Sequence, residues 1–201
     1  MYNDCWPASI GWAFVDYYCR RKPAYYTFKK LAYDVVGSIN VLNGEFTVSN
    51  TSDESRVAKI TVRALDMANN FKEMDVFDDT IFVAPYTTET TDLSHMLGDD
   101  ILLVCDTESD DDVYRSYYKK GKLPLVRSDA FTILSLTDSE ITIKANGYLH
   151  AVELEGDYRF SDNYFVMLEG EIRRIRFDRF SDKSSGVKVN AYTINHTGDT
   201  K

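Results

Sequence analysis

The densest run of side chains able to do chemistry is Asp106, Glu108, Asp110, Asp111 and Asp112. Alternating oxygen ligands are what a calcium loop supplies, but such a loop also needs glycine at its sixth position and glutamate at its twelfth. Here those positions hold Asp111 and Tyr117, so the run reads as a solvated hairpin tip. His95, His150 and His196 are isolated and lie near no cysteine pair, which argues against a zinc site. Cys5, Cys19 and Cys105 are odd in number and sparse, so no disulfide framework is expected. No metal and no cofactor is implied. Ser161-Asp162-Asn163 is polar, yet Phe160, Tyr164 and Phe165 surround it. Such a turn locks a loop through side-chain to backbone hydrogen bonds. Asn50-Thr51-Ser52 and Asn195-His196-Thr197 fit the glycosylation pattern, which matters only in a secretory host.

The elements that must carry these residues fall into two styles. In the first thirty residues, Asn3-Asp4-Cys5-Trp6-Pro7 is a short extended segment stopped by a proline. Pro23 then opens a helix in which Tyr25, Phe28, Leu31 and Ala32 form an apolar stripe, with Lys29 and Lys30 on the other face. A lone strand and helix cannot bury two apolar faces, so this segment needs a partner. After Tyr33 the chain alternates apolar and polar residues in strands punctuated by turns. Phe46 and Val48 share one face, as do Ala58, Ile60, Val62 and Ala64. Strands are expected at 73–77, 80–84, 101–106 and 113–118, and Asn43-Gly44 signals a hairpin. A second run of strands follows at 131–136, 140–145, 149–155, 164–168, 171–177 and 187–194, with Asn146-Gly147 as another hairpin turn. The fold class read from this pattern is mostly β, with two sandwiches and domain limits at 1–36, 37–124 and 125–201.

Composition narrows the partners. The chain has 201 residues and a net charge of -9, and residues 35–126 alone hold eight Lys/Arg against seventeen Asp/Glu. Phosphate contacts need clustered cations, so no nucleic acid is expected. No apolar run approaches the roughly 18 residues that span a bilayer, so no membrane partner is expected either. Asn3, Asp4 and Asp16 interrupt any pattern of a secretory leader, and the sequence assigns no compartment.

Two stretches carry a family resemblance. NDCWP followed by SIGWAFVDYYCRRKPAYYTFKK resembles the end of the catalytic barrel in β-mannosidases of glycoside hydrolase family 2. There a last strand with an N-D-x-W-P run leads to a D-Y-x-x-R-x-K-P-A-Y-Y helix, and Asp16, Tyr17, Arg20, Lys22, Pro23, Ala24, Tyr25 and Tyr26 all fall in register. Far downstream, Phe160-Ser161-Asp162-Asn163-Tyr164-Phe165 with Leu168-Glu169-Gly170-Glu171 resembles the F-S-D-N-Y-F…L-P-G-E signature of the family's final immunoglobulin-like domain, with Glu169 in place of the proline.

The resemblance implies the tail of a (β/α)8 barrel at 1–36 followed by immunoglobulin-like sandwiches at 37–124 and 125–201. It also implies a parent enzyme that hydrolyses terminal β-mannosides with retention. Retaining glycosidases use two carboxyl groups about 5 Å apart; in the family both are glutamates on earlier barrel strands, outside this chain. No catalytic residue is carried over, and the chain alone is expected to be inactive. Trp6 is the one substrate-binding residue implied, an aromatic at the barrel mouth that lies against the sugar in similar enzymes. Asp4 reads as a partner of loop amides, and Trp12 as packing. The expected partners are the β-mannoside, bound through the intact enzyme, and the rest of the barrel. Self-association through the uncovered barrel remnant is a further expectation. The competing reading is a free-standing immunoglobulin-like module that binds carbohydrate or protein. The severed strand ending in NDCWP argues against it.

Overall fold

A computed structural model describes residues 13–40, 42–179 and 186–195. The chain divides into two compact units, one formed by residues 30–123 and the other by residues 1–29 together with 124–201.

In the unit of residues 30–123, seven strands make two sheets. They are β1 (Val35–Ile39), β2 (Glu45–Asn50), β3 (Arg56–Asp66), β4 (Lys72–Val83), β5 (Thr88–Asp92), β6 (Ile101–Ser109) and β7 (Asp112–Lys119). The first sheet has the order β1-β2-β5 and the second β4-β3-β6-β7. Alternation along β2 and β3 sends Phe46, Val48, Ala58, Ile60, Val62 and Ala64 into one core with Val35, Val83, Leu103 and Cys105. Period-two burial of this kind is the pattern read from the sequence.

Two of these elements differ from the sequence expectation, and the expected hairpin forms. The strands expected at 73–77 and 80–84 are one continuous β4, in which Asp78 and Asp79 pair with Thr61 and Ile60 of β3. β4 is an edge strand, where exposed carboxylates blunt further pairing without breaking the ladder. β5 reads Thr-Glu-Thr-Thr-Asp, which shows no apolar alternation, yet it pairs with β2 from Glu45↔Asp92 to Ser49↔Thr88. The hairpin at Asn43-Gly44 forms between β1 and β2, with Ile39 opposite Phe46. Gly44 alone adopts positive φ there, at 76°, and an added Cβ would stand 2.5 Å from Ser94 Cα.

Gly37 in β1 has a different role, because a Cβ at this position would overlap Thr107 Oγ1 and stand 2.7 Å from Phe46 Cζ. Its carbonyl also accepts a bond from Ser116 Oγ at 3.1 Å. Overpacking a close-packed core costs energy even for one methyl group, so Gly37→Ala is expected to lower stability by about 2 kcal/mol. Urea unfolding followed by circular dichroism measures this.

Among the described residues the other unit adds eight strands: β8 (Leu125–Arg127), β9 (Phe131–Leu136), β10 (Glu140–Ala145), β11 (Leu149–Glu155), β12 (Tyr158–Phe160), β13 (Phe165–Met167), β14 (Ile172–Arg179) and β15 (Lys188–Ile194). Their sheet orders are β12-β14-β10-β9 and β13-β11-β15-β8. Between the sheets lie Ile141, Ile143, Leu149, Val152, Leu154, Phe165, Met167, Ile175 and Phe177, with Tyr158 and Phe160 forming an aromatic edge cluster. This is an immunoglobulin-like sandwich.

Asn146-Gly147 is not a hairpin turn. β10 and β11 belong to different sheets, so the chain crosses from one layer to the other here. Gly147 lacks the positive φ that a two-residue hairpin loop demands. Instead Asn146 is tied to the start of β9, its amide donating to Ala130 O at 2.8 Å and its Nδ2 to Thr132 Oγ1 at 2.9 Å.

Candidate functional site

The N-terminal segment builds a closed turn from residues 14 to 22. Val15 and Arg21 form an antiparallel bridge, and the Lys22 amide donates to Phe14 O at 3.0 Å. Cys19 closes the turn with φ of 63°. The Asp16 carboxylate accepts from the Arg20 amide at 2.8 Å and from Arg20 Nε at 2.7 Å, so one side chain holds both ends of the turn. Helix α1 (Pro23–Leu31) follows, with proline at the first turn, where its missing donor costs nothing. The stripe expected on it does not form the buried face: Phe28 is 58% and Leu31 53% exposed, whereas Tyr26 is 3% exposed. Phe28 stacks on Phe14, with ring centroids 5.0 Å apart. Periodicity alone could not choose between adjacent tyrosines, because the partner surface decides which face is covered.

That surface is the loop around Phe160-Ser161-Asp162-Asn163-Tyr164-Phe165, where every residue has a defined role. Asn163 is buried, accepts from the Leu154 amide at 2.7 Å and donates to Leu154 O at 2.8 Å, pairing its side chain with β11 as a strand would. Ser161 Oγ accepts from the Arg176 amide at 3.0 Å, and Asp162 pairs with Arg173 at 3.3 Å. Arg173 also lies over the Phe165 ring at 5.0 Å. Tyr164 adopts φ of 55° and donates to Glu153 Oε1 at 3.3 Å. The expectation that this turn is a structural lock holds in each contact.

The two stretches that carry the family resemblance meet here. Arg21 Nη1 donates to Phe160 O at 2.9 Å and Lys29 Nζ to Ser161 O at 3.2 Å. The Tyr26 ring stands 6.0 Å from that of Tyr164. Between them opens a cleft of about 600 Å³ lined by residues including Asp16, Arg20, Tyr26, Glu153, Glu155 and Lys188. Burial pushes the phenols of Tyr26 and Tyr164 up to about 12, so both remain donors and aromatic surfaces at neutral pH. Hydrogen bonds from Lys188 and Asn190, and the Lys188 charge, hold the Glu155 carboxyl below its usual range, the opposite of what a general acid requires. Glu153 is engaged by Tyr164 and by Asn190 Nδ2 at 3.3 Å. The cleft lining thus carries charges of both signs, and its carboxylates Asp16, Glu153 and Glu155 are engaged by neighbouring groups.

Trp6, the one substrate-contact residue expected from the sequence, lies outside the described residues, as do Asp4, Cys5 and Trp12. Asp106 does not join the acidic tip. It points from β6 to Arg115, 2.6 Å from Nε, and to Arg63, 3.1 Å from Nη1. Asp110, with φ of 51°, and Asp111 turn the hairpin between Ser109 and Asp112. Asn50 is 2% exposed and its Nδ2 donates to the carbonyls of Glu54, Val83 and Ala84, so it offers no glycosylation acceptor. Cys19 is exposed and Cys105 buried, both as free thiols.

His150 is buried in β11, with Nδ1 2.8 Å from the Tyr148 hydroxyl. Desolvation lowers its pKa from 6.5 to about 4. A group whose folded-state pKa is depressed favours folding above its unfolded pKa and loses that contribution as pH falls. Stability is therefore expected to drop by roughly 2 kcal/mol between pH 6.5 and 4.5 from this residue. Unfolding curves of the natural chain and of His150→Gln across that range isolate the effect, since the variant should show a correspondingly shallower dependence.

Comparison with known proteins follows the same lines. Residues 128–200 match the Ig_mannosidase family, described as an Ig-fold domain. Beta-mannosidase B of Aspergillus terreus is 28% identical over 104 residues, covering 43% of this chain and 12% of that protein. The β-D-mannosidase of Dictyoglomus thermophilum superposes on 96% of this chain and 26% of its own, with a TM-score of 0.67 and 19% identity. The exo-chitosanase of Amycolatopsis orientalis covers 96% of this chain and 30% of its own, with a TM-score of 0.65 and 14% identity. The chain thus spans about a quarter to a third of these solved proteins, whose likeness speaks for the fold. Residues 128–200 thus form an Ig-fold domain like that of mannosidases, and over the rest of the chain the likeness to the solved glycosidases is one of fold.

Proposed function

We propose that this chain is the C-terminal accessory region of a β-mannosidase-like glycoside hydrolase, which in its intact form hydrolyses terminal β-mannosides with retention. The match of residues 128–200 to the Ig-fold domain of mannosidases carries the reading. The relation to beta-mannosidase B and the D-Y-Y-C-R-R-K-P-A-Y-Y stretch support it. In this reading residues 1–36 complete the catalytic barrel, whose other strands supply both glutamates and whose mouth receives the sugar beside Trp6. Residues 37–124 and 125–201 are the two sandwiches that follow. The substrate is a terminal β-mannoside, and the remaining barrel in the parent chain is the structural partner.

A retaining mechanism needs a nucleophile and an acid/base at fixed separation, and accessory sandwiches cannot replace them. The purified chain alone is therefore expected to release no nitrophenol from nitrophenyl β-mannoside above a protein-free blank. The intact parent should release it and give the β-anomer of mannose first, as seen by proton NMR. Nitrophenol release by the chain alone, or inversion by the parent, overturns the reading.

A further inference from the structure

We propose that the Phe160–Tyr164 loop is a docking site for the cationic, aromatic segment Phe14–Lys29, and that Arg21 is the positioning residue through which the C-terminal sandwich holds that segment. Two consecutive main-chain carbonyls, Phe160 O and Ser161 O, receive Arg21 and Lys29 at 2.9 and 3.2 Å. β12 is the edge strand of its sheet, and its end is covered by two cationic side chains instead of another strand. The carbonyl pair therefore selects for charge-assisted donors set eight residues apart across one turn and the start of a helix. Tyr26, one turn before Lys29, is buried between these contacts and faces the Tyr164 ring at 6.0 Å.

The dock itself is rigid. Asn163 clamps Leu154 on both backbone groups, Asp162 holds Arg173, and Ser161 Oγ holds the Arg176 amide, so the carbonyls cannot drift with the loop. The ligand side is equally closed, because the Val15↔Arg21 bridge, the Lys22 amide bond to Phe14 O and the Asp16–Arg20 bonds tie Arg21 to Phe14 and Val15. Restraining Arg21 thus restrains residues 14–22 as one body. The role in catalysis rests on the proposed function, in which residues 14–22 follow the barrel strand that would carry Trp6.

Hydrogen exchange on the full chain tests the dock. In Arg21→Ala, amides of residues 15–29 should exchange about tenfold faster or more, the loss expected for one charge-assisted bond. Arg21→Lys should restore part of the protection, and amides of β3 and β6 should not change. Arg20→Ala, which removes the Nε bond to Asp16 and the contact with the Tyr18 ring and keeps the Arg20 amide bond, should affect residues 16–20 alone. Unchanged protection in Arg21→Ala, or equal loss in Arg20→Ala across residues 15–29, overturns the docking role. In the intact parent, Arg21→Ala should raise KM for nitrophenyl β-mannoside several-fold, and Arg20→Ala should not; an unchanged kcat/KM in folded Arg21→Ala overturns the positioning role. A natural parent that cleaves no β-mannoside counts against the proposed function, and the exchange result still decides the dock.

Discussion

Replacing Asn163 by alanine is expected to lower the stability of the C-terminal sandwich by about 4 kcal/mol. The amide satisfies both the N–H and the C=O of Leu154 in a buried position, at 2.7 and 2.8 Å. Truncation leaves both main-chain groups without that partner, at about 1 to 3 kcal/mol each, and opens a small void as well. The effect should be confined to the unit of residues 1–29 and 124–201. Hydrogen exchange resolves the two units, and the amides of β10, β11 and β14 should lose protection while those of β3 and β6 keep it. Asn50→Ala makes the mirror experiment, because Asn50 gathers the carbonyls of Glu54, Val83 and Ala84 in the other unit. If Asn163→Ala unfolds at the same urea concentration as the natural chain, the polar hexapeptide is not the lock that its contacts suggest.

In the intact parent, Trp6→Ala is expected to reduce kcat/KM for a β-mannoside by about 100-fold while shifting the thermal midpoint only slightly. An aromatic platform stacked on a sugar supplies contact area and fixes orientation, and misplacement of the reacting bond by about 1 Å can cost two orders of magnitude. A residue at a barrel mouth contributes less to the core than one between layers. The measurement is turnover per folded molecule, set against the midpoint from calorimetry. A collapsed midpoint with unchanged turnover per folded molecule assigns Trp6 to packing alone. Trp6→Phe separates the ring's area from its specific shape and should retain more activity than alanine.

Most of the architecture was legible in the chain itself. Strands with strict alternation, such as Glu45–Asn50 and Glu140–Ala145, follow from the period-two pattern because one face must be dry. The structural character of Ser161-Asp162-Asn163 was also readable, since aromatic residues flanking short polar side chains favour local backbone bonds. The polar strand Thr88–Asp92 was not readable, because its pairing with β2 uses backbone groups that every residue shares. Nor was the fate of Asn146-Gly147, whose dipeptide is typical of a hairpin. Only the packing of two sheets made it a crossover between layers.

The candidate site divides in the same way. Residue types and spacing determined that the chain carries a helix opened by Pro23 and an F-S-D-N-Y-F turn, and that its acidic run lacks a calcium loop's glycine and glutamate. That these two distant motifs touch was decided by tertiary structure, since Arg21 and Phe160 are 139 positions apart. The choice of Tyr26 over Phe28 as the covered ring was decided there too. Local sequence encodes which residues can form a helix and which faces are apolar, but a helix with aromatic residues on several faces has no internal preference for one of them. The surface it meets supplies that preference, through carbonyls at the end of an edge strand that no neighbouring residue in the sequence announces.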